Sequence, residues 1–446
     1  MREKISSLKN KIPTTLIQSG ASLFWLAIIL TGIGTGAGAA ALTRLLELVQ
    51  SFVWSGDGRN ILGVAAQAGA WRHVIVLLGA GLLTGAGQLI LVRLTSGNGI
   101  DITTAIWFTA GRLPALRTLG SAVLSVILVG MGVSLGREGA PKQVGAVIAN
   151  SLSDKIGFSD EQRRLLVACG AGAGLAAAYG VPLGGALFAL EVLRGILALR
   201  LILPALMTSV IASVVAWLVL PDVPTYTIPA YGSSASVLTW ALLAGPIAGV
   251  VSVLYVRAIA SADRLKPKGW KRLLAPVIVL GLLGLVSIKF PQLLGNGRDV
   301  SQLIFNNQVG PLLLLALLFL KPLTTVMCIG GGAPGGLFTP SLTLGALLGG
   351  TLGWLWTLFW PGVPPGLFAV LGAGAVLAAT TQGPISAVVL MTELTGRDRS
   401  FIAPLILAVI TATVVSRTIE PRSIYDARLT DEEVKTRLKA RQPSPQ

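Results

Sequence analysis

Residues 168–193 read ACGAGAGLAAAYGVPLGGALFALEVL, and residues 370–395 read VLGAGAVLAATTQGPISAVVLMTELT. Laid over one another without a gap, they match at Gly170/Gly372, Ala171/Ala373, Gly172/Gly374, Ala173/Ala375, Leu175/Leu377, Ala176/Ala378, Ala177/Ala379, Pro182/Pro384 and Glu191/Glu393. A bias towards Ala and Gly explains a few of these coincidences. It does not explain a proline and a glutamate in register. Just upstream, with a two-residue slip, Gly136, Gly145 and Ala146 fall over Gly336, Gly345 and Ala346. The chain is therefore two halves on one plan, about 20–220 and 237–418. Many membrane transporters are built this way, with the substrate site between the repeats. The spacing alone does not distinguish a parallel repeat from an inverted one.

Composition sets the surroundings of that repeat. Of 446 residues, 53% are hydrophobic and 12% charged, and mean hydropathy is +0.76. A soluble domain of this length carries far more charge. Apolar segments recur from 20–50 to 400–416. Several are too short to cross about 30 Å of hydrocarbon alone and open near a proline, such as Pro141, Pro182, Pro340 and Pro384. Half-spanning helices of this kind are tolerated where their ends face protein or a watery path.

The excess of basic residues, a net charge of +16, is clustered. Arg2, Lys4, Lys9 and Lys11 precede the first apolar run; Arg264, Lys266, Lys268, Lys271 and Arg272 crowd one loop; Arg417 to Arg441 carry most of the rest. Because these residues flank membrane spans, they orient the chain rather than bind nucleic acid. The expectation is an all-α polytopic membrane protein of the plasma membrane with both termini cytoplasmic. Residues 1–18 form a basic N-terminus, 19–418 the transmembrane domain and 419–446 a short tail. Cys169 and Cys328 lie in apolar segments and read as core residues without a disulfide, and His73, at the head of a span, reads as interfacial. One histidine leaves no set of side chains for a resident metal or for hydrolytic chemistry, so no enzyme activity and no cofactor are expected.

The matched turns hold the chemistry. Gly136-Arg137-Glu138-Gly139-Ala140 and Gly336-Leu337-Phe338-Thr339-Pro340 each open a helical segment inside apolar sequence. A helix start presents free N–H groups and about half a positive charge. Two of them converging in the membrane suit a small anion, and glycine lets the amides come close. Glu138 is a carboxylate in an anion-attracting turn. Ionised, it competes with the anion as a tethered ligand; protonated, it has to leave. The bland alternative is an ion pair with Arg137 or Lys142.

These residues resemble the CLC family of chloride channels and chloride/proton exchangers over nearly the whole chain. Gly136-Arg137-Glu138-Gly139 is similar to the family's gating-glutamate motif and Gly336 to Pro340 to its second anion-site motif. Ser423-Ile424-Tyr425 matches the segment of its pore tyrosine, and Ser96-Gly97-Asn98-Gly99-Ile100-Asp101 falls at its first, serine-bearing loop. The resemblance implies an inverted repeat of about eighteen tilted, partly broken helices in a homodimer with one pore per subunit. It implies Glu138 as gate and proton acceptor. Asn98, Gly136, Arg137, Gly139, Leu337, Phe338 and Tyr425 are its anion-binding residues. Chloride or a similar monovalent anion is the substrate and membrane lipid the surroundings. It also puts segment 182–193, with small Gly185 and Ala189 four residues apart, near the subunit interface.

The departures from the family pattern are specific. Asn98 stands for the usual serine and Asp101 for the proline ending that loop. Asn98 is either a hydrogen-bonding substitute or part of an ordinary Asn-Gly turn. The gating motif ends in Ala140, with Pro141 displaced by one. Lys142 replaces an apolar residue, and either strengthens the anion field or snorkels and pairs locally. At the position of the exchangers' inner proton-relaying glutamate the chain has Val192, with Glu191 beside it. Glu191 is either a displaced inner relay or a helix-capping carboxylate, as its repeat partner Glu393 suggests. Valine carries no proton, so the expectation leans to a passive chloride channel of the voltage-gated channel class, with chloride/proton antiport as the alternative. A carrier of small organic acids is a more distant one.

Overall fold

The computed structural model describes residues 21–56, 58–94, 101–396, 401–426, 429 and 432. Seventeen α-helices are found among them. The first half holds α1 (Ala21–Trp54), α2 (Ile61–Gln67), α3 (Ala70–Leu94), α4 (Ile102–Phe108), α5 (Ala115–Gly130), α6 (Gly139–Ile156), α7 (Asp160–Tyr179), α8 (Pro182–Phe188) and α9 (Leu199–Trp217). The second half holds α10 (Ala235–Arg264), α11 (Lys271–Lys289), α12 (Arg298–Phe305), α13 (Pro311–Gly330), α14 (Phe338–Phe359), α15 (Pro365–Thr381), α16 (Pro384–Thr395) and α17 (Ile402–Ile419). Leaving α2 aside, the two series correspond in order, with short α4 and α8 matched by short α12 and α16.

Eight of these helices (α1, α3, α9, α10, α11, α13, α14 and α17) are long and apolar enough to cross a membrane, so the chain is a multi-pass membrane protein. A helix rises 1.5 Å per residue. The seven or eight residues of α4, α8 and α12 therefore reach less than halfway across, and their ends need partners inside the protein.

The repeat explains how the halves join. Gly136 and Gly336 pair as an antiparallel bridge: the Gly136 N–H donates to the Gly336 carbonyl at 2.8 Å, and the Gly336 N–H to the Gly136 carbonyl at 2.7 Å. Two copies of one segment running antiparallel about a shared axis are what an inverted repeat requires. Within each half, α6 packs on α7 and α14 on α15. The helices cross at matched glycines, Gly145 on Gly170 and Gly345 on Gly372, where any Cβ would overlap the facing carbonyl.

Both cysteines are free and buried. His73 is not interfacial: it is buried, and its ring nitrogens lie 2.9 Å from the Ser287 hydroxyl and 2.9 Å from the Ala65 carbonyl. An imidazole with both nitrogens paired is a satisfied core residue. The close approach allowed by Gly185 and Ala189 is also internal. Both meet Gly172 of α7 in the same chain, because α8 is too short to bury its ends without leaning on a neighbour.

Candidate functional site

Neither α6 nor α14 has a side-chain cap of its own. Glu138, the residue before α6, turns its carboxylate away from its own helix and across the repeat axis. Oε1 accepts the Phe338 N–H at 2.6 Å, and Oε2 accepts the Thr339 hydroxyl at 3.2 Å and the Tyr179 hydroxyl at 3.4 Å. Tyr179 and Thr339 are themselves 2.7 Å apart, which makes a short hydroxyl chain behind the carboxylate. Glu138 is 0% exposed. It caps α14 from the other half, so its charge meets that helix's partial positive end. A Cβ at Gly136 or at Gly336 would overlap the carboxylate, so the two glycines form its slot. Their own N–H and carbonyl groups are spent on each other. The ion-pair alternative for Glu138 is not what the side chain does: its partners are an amide and two hydroxyls.

Two cavities approach this point without reaching it. One, about 700 Å³, is lined by Asp101, Arg112, Gly139, Gln143, Lys266 and Arg272 among others. The other, about 610 Å³, is lined by Arg59, Arg137, Tyr179, Arg298 and Asp299 among others. Arg137 and Gly139 thus open onto different cavities, and Glu138 stands between them in the chain. Arg137 lies over the Tyr179 ring, 5.0 Å from its centroid, and reaches the Ala178 carbonyl at 3.4 Å.

Tyr425 arrives from the segment after α17. The Ile424 N–H donates to the Thr380 carbonyl at 2.7 Å, and Asp426 accepts the Ser423 hydroxyl at 2.8 Å, which closes a turn that presents Tyr425 inward. Its ring packs edge-on against Phe188 at 5.7 Å, and Phe188 packs on Phe338 at 6.4 Å. Glu138 and Phe338 therefore meet directly and Leu337 stands just before Phe338, while Tyr425 joins them through Phe188; Arg137 faces the second cavity. Asn98 lies outside the described residues; Asp101, at the end of its loop, caps α4 through the Thr103 and Thr104 amides. Sequence reasoning missed Tyr179, Thr339 and Asp426. Thr339 sat inside a quoted motif, but nothing in its spacing tells that its hydroxyl faces Glu138.

The inner-relay candidates separate. Residues 189–194 continue α8 as a π-helical turn, not as a regular helix. Glu191 projects to α16, accepting the Ile385 N–H at 3.2 Å and the Ser386 N–H and hydroxyl at 2.6 Å each. Glu393 does the same for α8, accepting the Leu183 N–H at 3.0 Å and the Gly184 N–H at 2.6 Å. Each matched glutamate caps the other half's broken helix. Val192 is buried. Glu191→Gln keeps one acceptor and turns an NH2 towards amide donors, which should cost about 1–3 kcal/mol. The expected result is a lower melting temperature in detergent with ion coupling intact. Loss of coupling at unchanged stability would make Glu191 a relay instead of a cap.

Comparison with known proteins agrees with this architecture. The family profile for "Voltage gated chloride channel" matches residues 80–417. The H(+)/Cl(-) exchange transporter ClcA of Vibrio cholerae serotype O1 is 34% identical over 312 residues, 68% of this chain and 66% of that protein. The match thus spans just under two thirds of the transporter's length. A putative chloride channel protein, ClcB-like, of Ralstonia nicotianae is 31% identical over 413 residues, 89% of this chain and 95% of that protein. Among solved structures, a slow cyanobacterial Cl-/H+ antiporter superposes with a TM-score of 0.79 at 22% identity, covering 93% of this chain and 99% of its own. A CLC-type fluoride/proton antiporter gives 0.73 at 23% identity, covering 91% and 98%. A profile matched over most of the chain, an all-helical fold shared with CLC antiporters and the inverted repeat lead to one conclusion: the chain belongs to the CLC family of voltage-gated chloride channels and chloride/proton exchangers.

Proposed function

We propose that the protein carries chloride across the plasma membrane in exchange for protons, with Glu138 as the gate that both ions use. The observation that carries this reading is the seat of the Glu138 carboxylate on the Phe338 amide, in a slot between two glycines. A site that holds one oxyanion on a helix end and two hydroxyls is built to hold a halide there instead. With the carboxylate withdrawn, the Phe338 amide and the Thr339 and Tyr179 hydroxyls are left for the anion, and the Leu337 amide and the Tyr425 hydroxyl join them in the proposal through their motifs. Gly136, whose N–H is already spent, and Gly139 shape the slot. Arg137 acts from the second cavity as an attracting charge. Asn98 belongs to the same proposal through its motif.

Exchange is preferred to the passive channel expected from Val192. The Vibrio relative is named an exchanger and both structural neighbours are described as antiporters. The passive reading keeps two arguments: the Ralstonia relative is named a putative chloride channel protein, and Val192 has no proton to give while Glu191 is occupied as a cap. The basic 264–272 loop supports a cytoplasmic side at the larger cavity and cytoplasmic termini. A homodimer belongs to the same proposal through the family resemblance, with segment 182–193 near the subunit interface.

The test is to impose a chloride gradient on proteoliposomes at equal pH and follow internal pH together with chloride. Chloride-driven proton movement is the expected result. Chloride flux without protons would establish the passive reading, and no anion flux at all would end the transport proposal.

A further inference from the structure

Lys142 lies one turn beyond Glu138 on α6 and is 5% exposed. It does not snorkel. Its ammonium lies over the Tyr425 ring at 4.6 Å and the Phe188 ring at 5.1 Å from their centroids, and 3.5 Å from the Tyr425 hydroxyl. Burial works against its charge, and the charges of Glu138 and Asp101 favour it. Among the described residues neither forms an ion pair with it. Glu138 is held by Phe338, Thr339 and Tyr179, and Asp101 by Thr103 and Thr104.

The other buried lysine shows what a structural role looks like. Lys321 donates to the Leu293, Leu294 and Gly295 carbonyls at 2.8, 3.4 and 2.9 Å, which spends all three of its protons. Lys142 has two aromatic faces and one distant hydroxyl. Aromatic faces attract a cation but leave its N–H donors unused, so they are open to a further acceptor.

We propose that Lys142 is a cationic ligand of the anion site, and that the Glu138 carboxylate and the transported halide are alternate counter-ions of its ammonium. This rests on the anion-transport reading above and adds to it a whole positive charge beside Tyr425, where helix ends and hydroxyls supply only partial ones. With Glu138 seated, its carboxylate and the Lys142 ammonium balance. An arriving anion sets two negative charges against one ammonium and so favours withdrawal of the carboxylate. A site built this way holds chloride more tightly than one with an apolar residue at 142.

The experiment is calorimetric titration of chloride into the full chain in detergent, beside the chloride-induced rise in melting temperature, for wild type, Lys142→Met and Lys142→Gln. Loss of a charged hydrogen-bond donor should weaken chloride binding about tenfold or more, and the chloride-induced rise in melting temperature should shrink with it. A merely structural lysine would change the melting temperature without chloride and leave the affinity alone. Either variant folding and binding chloride as tightly as wild type overturns the proposal; Gln serves if Met fails to fold. Wild type that binds no halide would instead sink the transport reading on which the proposal stands.

Discussion

In Glu138→Gln, anion flux should persist, lose its pH dependence and no longer move protons. The carboxylate occupies the Phe338 amide and the slot between Gly136 and Gly336, so under the proposed gating an anion enters only when it leaves. Protonation converts charge-assisted hydrogen bonds, worth about 1.5–3 kcal/mol each, into ordinary ones and loosens that hold. Wild-type flux should therefore rise as pH falls. Glutamine has the shape of the protonated acid without its proton, so the variant is held in the loosened state at every pH. Paired chloride and pH recordings on proteoliposomes read both effects. A folded Glu138→Gln protein with no anion flux would remove Glu138 from the role of gate.

The second large effect is on folding. Gly170→Leu should abolish recovery of a monodisperse protein, and Gly372→Leu, its repeat counterpart, should do the same. A side chain at either position runs into the backbone carbonyl of the crossing helix, at Gly145 or at Gly345, and backbone cannot move aside as a flexible side chain can. Overpacking costs about 1–3 kcal/mol where side chains yield; here a whole helix has to shift. Ala at the same sites should be milder, since relief of glycine's poor helix propensity returns about 1 kcal/mol. Separating α6 from α7 also moves the start of α6, so surviving Gly170→Ala protein should bind chloride less well. Gly232→Ala, in the loop before α10, is the control: nothing lies within 4 Å of the added carbon, and its melting temperature should stay at the wild-type value. Gel filtration after solubilisation distinguishes these outcomes. Well-behaved Gly170→Leu protein would show that the helices do not cross so closely.

Much of this protein is legible in its sequence because the membrane simplifies the physics. Lipid demands long apolar helices, and those are visible as composition. The duplicated plan, the two glycine-rich turns and the odd carboxylate Glu138 are local patterns, and they were readable because each repeat half is a control for the other. What the pattern did not carry is direction across the chain. Glu138 precedes α6 but caps α14, two hundred residues away. Glu191 and Glu393 look like buried acids on their own helices, yet each caps the other's helix, an exchange permitted only by the twofold relation of the halves. Glu191 and Val192 part company as adjacent helical residues do, and hydrophobic periodicity has no signal for the π-helical turn at 189–194 that carries them.

The sequence by itself determined the class of protein, the repeat and the place in the chain where the charge chemistry sits, because those follow from composition and from matched local motifs. Only the tertiary structure decided which groups meet. It put Gly185 against α7 within the same subunit, His73 in the core, Tyr179 and Thr339 behind Glu138, and the Lys142 ammonium between Phe188 and Tyr425. A residue's type fixes what it needs, a counter-charge, a donor or a close neighbour. Which distant segment answers that need is set by how the helices cross, and no single stretch of sequence contains that information.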